Sequence, residues 1–188
     1  MVTVALRRRV RPRSRQRLWA KAGKLPRVLA SSTLAARAAP HNPGLRHLAG
    51  TAYGRAADAC RHLLEDGRRT LTPEGLQLAR KAAPHLAAAC EDRDAPADAF
   101  YNAGRVLYAL GEYDEALGFF RKGIRVQDDA EMNSLAALAA AKQAREWQDA
   151  VRTQSLMPEG KKAALRREVR VYMDSAVHYF RQALRYDE

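Results

Sequence analysis

The chain has 188 residues and 20.9 kDa, room for one domain with a real core and not for a large multidomain enzyme. Apolar residues make up 47% and charged ones 29%, as in folded globular proteins, and no apolar run approaches the ~20 residues that cross a bilayer as a helix. The formal charge of +12 is uneven: residues 1–48 hold 12 of the 33 bases and no acid, the first carboxylate being Asp58, which leaves 21 bases against 21 acids for the rest.

An acid-free, Arg-rich, Ser-containing beginning has the composition of a mitochondrial transit peptide, which the membrane potential draws inward. Leu18, Ala22, Leu25 and Leu29 recur at helical spacing with Arg17, Lys21 and Lys24 on another stripe, and Pro12 and Pro26 limit that helix to a few turns. The apolar run of a secretory signal is missing. Arg46-His47-Leu48-Ala49 resembles the site cut by the mitochondrial processing peptidase. Residues 1–48 are therefore expected to be an irregular basic leader or extension, cleaved or disordered, ahead of a neutral helical domain at 49–188. The same composition suits a disordered basic tail of an Arg-rich bacterial protein, or a retained arm on RNA phosphates.

From Ala49 onward Ala, Leu, Arg and Glu dominate and no alternating Val/Ile/Thr run of strand type occurs, which predicts an all-α fold. A first helix is expected over about Thr51 to Glu65, with Tyr53, Ala56, Ala57, Cys60, Leu63 and Leu64 inward and Asp66-Gly67 as its stop. Thr72-Pro73-Glu74 starts a second, since Thr caps, Pro at the first position lacks only an orphaned donor, and Glu suits the positive end. It should reach about Glu91, kinked or broken at Pro84.

Residues 97–130 carry the clearest pattern. Phe100, Tyr113 and Phe120 are large where Gly104 and Ala116 are small, the arrangement two closely crossing helices need, and Ala103, Leu107, Gly111 and Ile124 complete it. These positions resemble a tetratricopeptide repeat, with Gly123 where Ala is usual and Asp128 where Pro is usual. One such hairpin cannot bury its own faces and needs neighbours. A degenerate copy is read at 131–157, 34 residues on, with Trp147 and Ala150 in the places of Tyr113 and Ala116. A third is read at 158–187, where Ala176 to Leu184 matches the second helix and Glu159 to Tyr172 supplies the first. Ala82, Leu86 and Ala89 fit a still more divergent copy upstream. The resemblance implies a short α-solenoid of antiparallel hairpins.

Chemistry-bearing patterns are absent. Cys60 and Cys90 are too few and too far apart for a zinc knuckle, and His41, His47, His62, His85 and His178 include no pair at ligand spacing. No phosphate loop, dinucleotide-binding glycine pattern or nucleophile elbow is present. Catalytic, cofactor and metal sites are not expected.

Function then falls to surfaces. The resemblance implies that the first helix of each repeat lines a concave groove, which places Asp98, Tyr101, Asn102, Arg105 and Tyr108 there from the first copy. Leu135 and Lys142 come from the second, and Lys161, Lys162, Leu165 and Arg166 from the third. Such a groove suits a partner segment with acidic character. The family's clamp for a C-terminal carboxylate is matched at Asn102 but interrupted by Leu135 and Ala136. Lys161, Lys162, Arg166, Arg167 and Arg170 form the only dense basic cluster of the domain, a patch for RNA phosphates, anionic lipid or an acidic subunit. The expected function is a non-enzymatic scaffold that binds protein subunits of a larger complex. The setting is an accessory subunit of a respiratory or ATP-synthase complex or of the mitoribosome, at the matrix or the matrix face of the inner membrane. The alternatives are an rRNA-associated mitoribosomal protein with a retained arm, and a bacterial cytoplasmic adaptor or chaperone.

Overall fold

Two start signals of one kind open the first helical hairpin. Asn42 accepts from Leu45 N–H with Pro43 at the first helical position, and Thr72 accepts from Gly75 N–H with Pro73 in the same place. Each pair satisfies an orphan donor and presets φ. The computed structural model describes residues 27–63 and 69–186, and its helices are α1 (27–38), α2 (Pro43–Ala59), α3 (Pro73–Ala89), α4 (Ala97–Leu110), α5 (Tyr113–Val126), α6 (Ala130–Thr153) and α7 (Glu159–Leu184). The basic stripe of residues 17–24 and the stop at Asp66-Gly67 lie outside the described residues.

The first helix therefore differs from expectation: it begins at Pro43 and ends at Ala59, and the chain then forms β1 (Arg61–Leu63) paired antiparallel with β2 (Arg69–Leu71), Arg61 opposite Leu71. The boundary expected at residue 49 falls inside α2, where Ala49 is fully buried, and α1 ahead of it buries Ser32 and Ala36. Pro84 lies within α3 without ending it, its ring on the exposed side.

α2 packs on α3, α4 on α5 and α6 on α7, while α3 meets α4 and α5 meets α6, so three hairpins stack in chain order. α2 also touches α4, and α4 touches α6, which puts the first helices of successive hairpins side by side. One apolar cluster joins α2, α3 and α4 through Ala57, Ala79, Ala82, Leu86, Ala103 and Val106. Another joins α4 to α7 through Leu107, Leu117, Phe120, Met132, Ala136 and Tyr172. Three of the helix pairs meet where a glycine gives way: Gly50 of α2 faces Leu86 of α3, Gly104 of α4 faces Phe120 of α5, and Gly123 of α5 faces Met132 of α6. The all-α solenoid of antiparallel hairpins is thus as expected, with the small two-stranded hairpin added.

Two of the expected repeats take another form. Residues 131–157 and 158–187 are not two helical hairpins but the two arms of one, since α6 runs unbroken for 24 residues and α7 for 26. The physical reason lies in the turn. α4 stops because Gly111 takes φ +87°, letting Gly111 N–H and Glu112 N–H reach back to the carbonyls of Tyr108 and Leu107. The matching positions are Arg145 and Val171, a good helix former and a β-branched residue that avoids the left-handed region, so both helices continue.

Register shows how far they continue. Tyr172 O–H donates to Asp114, and Arg121 donates to Tyr179 and Ser175 at 3.2 and 3.3 Å, which lays the second half of α7 along α5. Residues 159–171 run on past the start of α5 by about 20 Å, paired chiefly with the far half of α6. Trp147 packs edge-on to Tyr172 at 4.8 Å where this projection begins, and Met157 is buried in its tip.

Candidate functional site

α2 and α4 lie side by side, and between them runs a groove of about 290 Å³. Four of the residues expected in a groove line it from α4: Asp98, Tyr101, Asn102 and Arg105, spaced three and four apart on one helical face. α2 supplies the opposite wall with Thr51, Gly54, Arg55 and Asp58.

Two of the four charges in the groove are spent on one another. Arg105 donates to Asp58 at 2.9 Å and its guanidinium lies 5.4 Å from the centre of the Tyr101 ring, while Asp58 also accepts from Arg61 at 2.9 Å. Tyr101 O–H donates to Glu131 at the start of α6. Burial first, and then that bond to a carboxylate, push the phenol up to about 12, so it remains a donor. With Asp58 and Asp98 added, Arg55 and Arg105 are balanced in number, so the lining carries no net charge. Thr51 Oγ1 has no hydrogen-bond partner but is itself closed off from the groove, whereas Asn102, Arg55 and Asp98 line the groove and make no side-chain bond among the described residues. An accessible amide at a groove wall, such as that of Asn102, can exchange hydrogen bonds with a peptide backbone.

The other expected groove residues are elsewhere. Tyr108 is half-buried, edge-on to Tyr113 at 5.2 Å, and packs against the larger core together with Leu135. Lys142 is half-buried on α6 and does not line the groove. Lys161, Lys162, Leu165 and Arg166 are not on a first helix at all: they belong to the start of α7, the second arm of its hairpin, on the projecting part. There Glu159 holds Lys162 at 2.9 Å and Arg166 at 3.9 Å, while Lys161, Arg167 and Arg170 are exposed and unpaired among the described residues. The basic patch thus exists as a cluster, set on the projection rather than in the groove.

Sequence reasoning missed the α2 wall. Thr51, Arg55 and Asp58 had a usable signal, the Asn42-Pro43 start that fixes the phase of α2. The Asp58–Arg105 contact spans 47 residues and leaves no trace in local spacing.

A second cavity of about 310 Å³ opens where α2 starts, beside residues 92–99, lined by His47, Asp92, Asp94 and Asp98. His47 Nδ1 is buried without a partner, and burial holds this imidazole below the usual histidine range against the opposing pull of Asp98. Among the described residues no group of three or more His, Cys, Asp or Glu side chains is placed to hold a metal ion, and no helix is long and apolar enough to cross a membrane.

Residues 97–129, which are α4, α5 and the turn after them, match the tetratricopeptide repeat family. No curated protein sequence matches the chain. Among solved structures, that named MamA MSR-1 C2 is similar over 90% of this chain and 71% of its own, at 15% identity and a TM-score of 0.56. TTC0263, a thermophilic TPR protein of Thermus thermophilus, is similar over 84% of this chain and 75% of its own, at 19% identity and a TM-score of 0.48. The first likeness is one of fold: a tetratricopeptide-like stack of helical hairpins.

Proposed function

We propose that the chain is a non-enzymatic docking subunit that holds an extended segment of a partner protein in the groove between α2 and α4. The observation that carries this reading is the Asn102 amide, unbonded among the described residues in a groove whose two walls are tied together by the Asp58–Arg105 ion pair. Arg105, Asp58 and Tyr101 stiffen the walls, leaving Asn102 to bond a peptide backbone and Arg55 and Asp98 to meet polar groups beside it. Resemblance of residues 97–129 to a repeat whose first helices line binding grooves supports it. A photo-crosslinking residue placed at Asn102 should join one protein partner in stoichiometric amount, while the same residue at the exposed Glu115 of α5 should not. Adducts to RNA alone, or none, would sink the reading.

The setting we infer is a large mitochondrial assembly, a respiratory or ATP-synthase complex or the mitoribosome. Its support is the acid-free run before Asp58. A cut after Leu48 would remove α1, the Asn42 cap and the first turns of α2, so the native subunit is expected to begin at or before residue 27. N-terminal sequencing of the native subunit checks this. A start at Met1 on a particle whose RNA contact weakens steeply with salt would favour the retained basic arm instead.

A further inference from the structure

The two ends of the stack are finished differently. At the first end α1 lies against α2, with Ser32 and Ala36 buried and Thr33 Oγ1 bonded to the Tyr53 hydroxyl at 3.2 Å. At the last end α7 turns Tyr172, Ala176 and Ala183 inward, and nothing among the described residues covers its adjoining face. On that face Met173, Val177, Phe180 and Leu184 follow at steps of four, three and four residues, 47, 46, 42 and 62% exposed. Those steps are the seam of a two-helix coiled coil. Four large apolar side chains in one line are more than scattered exposure accounts for.

Charges beside the seam say what fits it. Asp174 and Arg181 each follow a seam residue, Met173 and Phe180, on the side of the helix away from the body. Both are exposed, and neither is ion-paired among the described residues. If two such helices run antiparallel about a centre between Val177 and Phe180, Met173 meets Leu184 of the second copy and Val177 meets its Phe180. Asp174 then falls opposite Arg181 of the second copy, and symmetry makes that pair twice. A parallel pair would set the two charges against Val169 and Ala176, which the chain already turns inward.

We propose that α7 is a self-association helix, and that the occupant of its open seam is the α7 of a second copy of this chain, antiparallel and matched by Asp174 and Arg181. The same face of each copy meets its counterpart about a two-fold axis, so the contact joins last end to last end and stops at two copies. The groove between α2 and α4 takes no part in it.

Sedimentation velocity of the full chain from about 1 to about 200 µM should show a monomer passing to a dimer and no larger species. Asp174→Arg and Arg181→Asp should each weaken the dimer by about tenfold or more, because each sets like charges face to face twice, and the double reversal should restore it. Val177→Asp should abolish the dimer with helical circular dichroism unchanged. A monomer at every concentration, growth beyond two copies, indifference to the single reversals, or a double reversal that stays weak would each overturn the proposal.

Discussion

The ring of Phe120 stands where residue 104 would carry a side chain: a Cβ built on Gly104 would lie 2.5 Å from its Cε1. Phe120 has no exposed surface and cannot retreat. Gly104→Ala should therefore cost about 1–3 kcal/mol despite the better helix propensity of alanine, because the α4/α5 crossing must open. Gly118, in the same hairpin, meets nothing within 4 Å, and Gly118→Ala should stabilise by about 0.5–1 kcal/mol. Urea midpoints of the two variants should move in opposite directions.

At Gly111 the obstacle is conformation and not space, since a Cβ there meets nothing within 4 Å while φ is +87°. Gly111→Ala should cost about 1 kcal/mol, and Gly111→Asn less, because asparagine tolerates the left-handed region. Equal losses for both variants in denaturant unfolding would show that something other than backbone strain is at work.

Two histidines give the fold a pH slope. Burial lowers His47 against the pull of Asp98, and lowers His85 together with the charges of Arg46 and Arg37. With folded values below the ordinary histidine range, the unfolded chain takes up protons first as pH falls. Stability is then full above about pH 7 and declines from there toward the folded values. Thermal midpoints should fall between about pH 7.5 and about pH 6, and His47→Gln with His85→Gln should flatten that slope.

Burial pushes the Cys90 thiol up to about 11, with Lys122 opposing. At pH 8 only about one molecule in a thousand carries the thiolate. In a Cys60→Ser background, a disulfide reagent should attack Cys90 at least ~10-fold more slowly in the native protein than in guanidinium. Equal rates would place Cys90 outside the packed interior.

The hairpin of α4 and α5 was legible because its sequence states both what is buried and where the chain reverses: Phe100, Gly104 and Phe120 give the faces, Gly111 the turn. Beyond it only the first kind of information survives. Trp147 and Ala150 copy the packing pattern of Tyr113 and Ala116, but Arg145 cannot stop a helix, so a match in faces is not a match in folds. Ala176 to Leu184 behaves alike, because it packs on α5 as a second helix should, yet Val171 lets the helix ahead of it continue. The start of α2 carried a signal as good as Thr72-Pro73, but it lay in a basic stretch whose composition pointed to a leader. Half of the groove, the α4 wall, followed from helical spacing. The other half depended on Asp58 meeting Arg105, a consequence of stacking that no window of a dozen residues contains.

Beyond Trp147 and Tyr172 the arms of α6 and α7 pack chiefly on each other among the described residues, so their length is less constrained than the rest of the stack. Removing a heptad from each arm would draw the basic tip back by about 10 Å and leave every contact around Phe120 in place. That makes the projection a ruler: whatever Lys161, Arg167 and Arg170 meet, the distance at which they meet it is set by a part of the protein that can change without endangering the remainder.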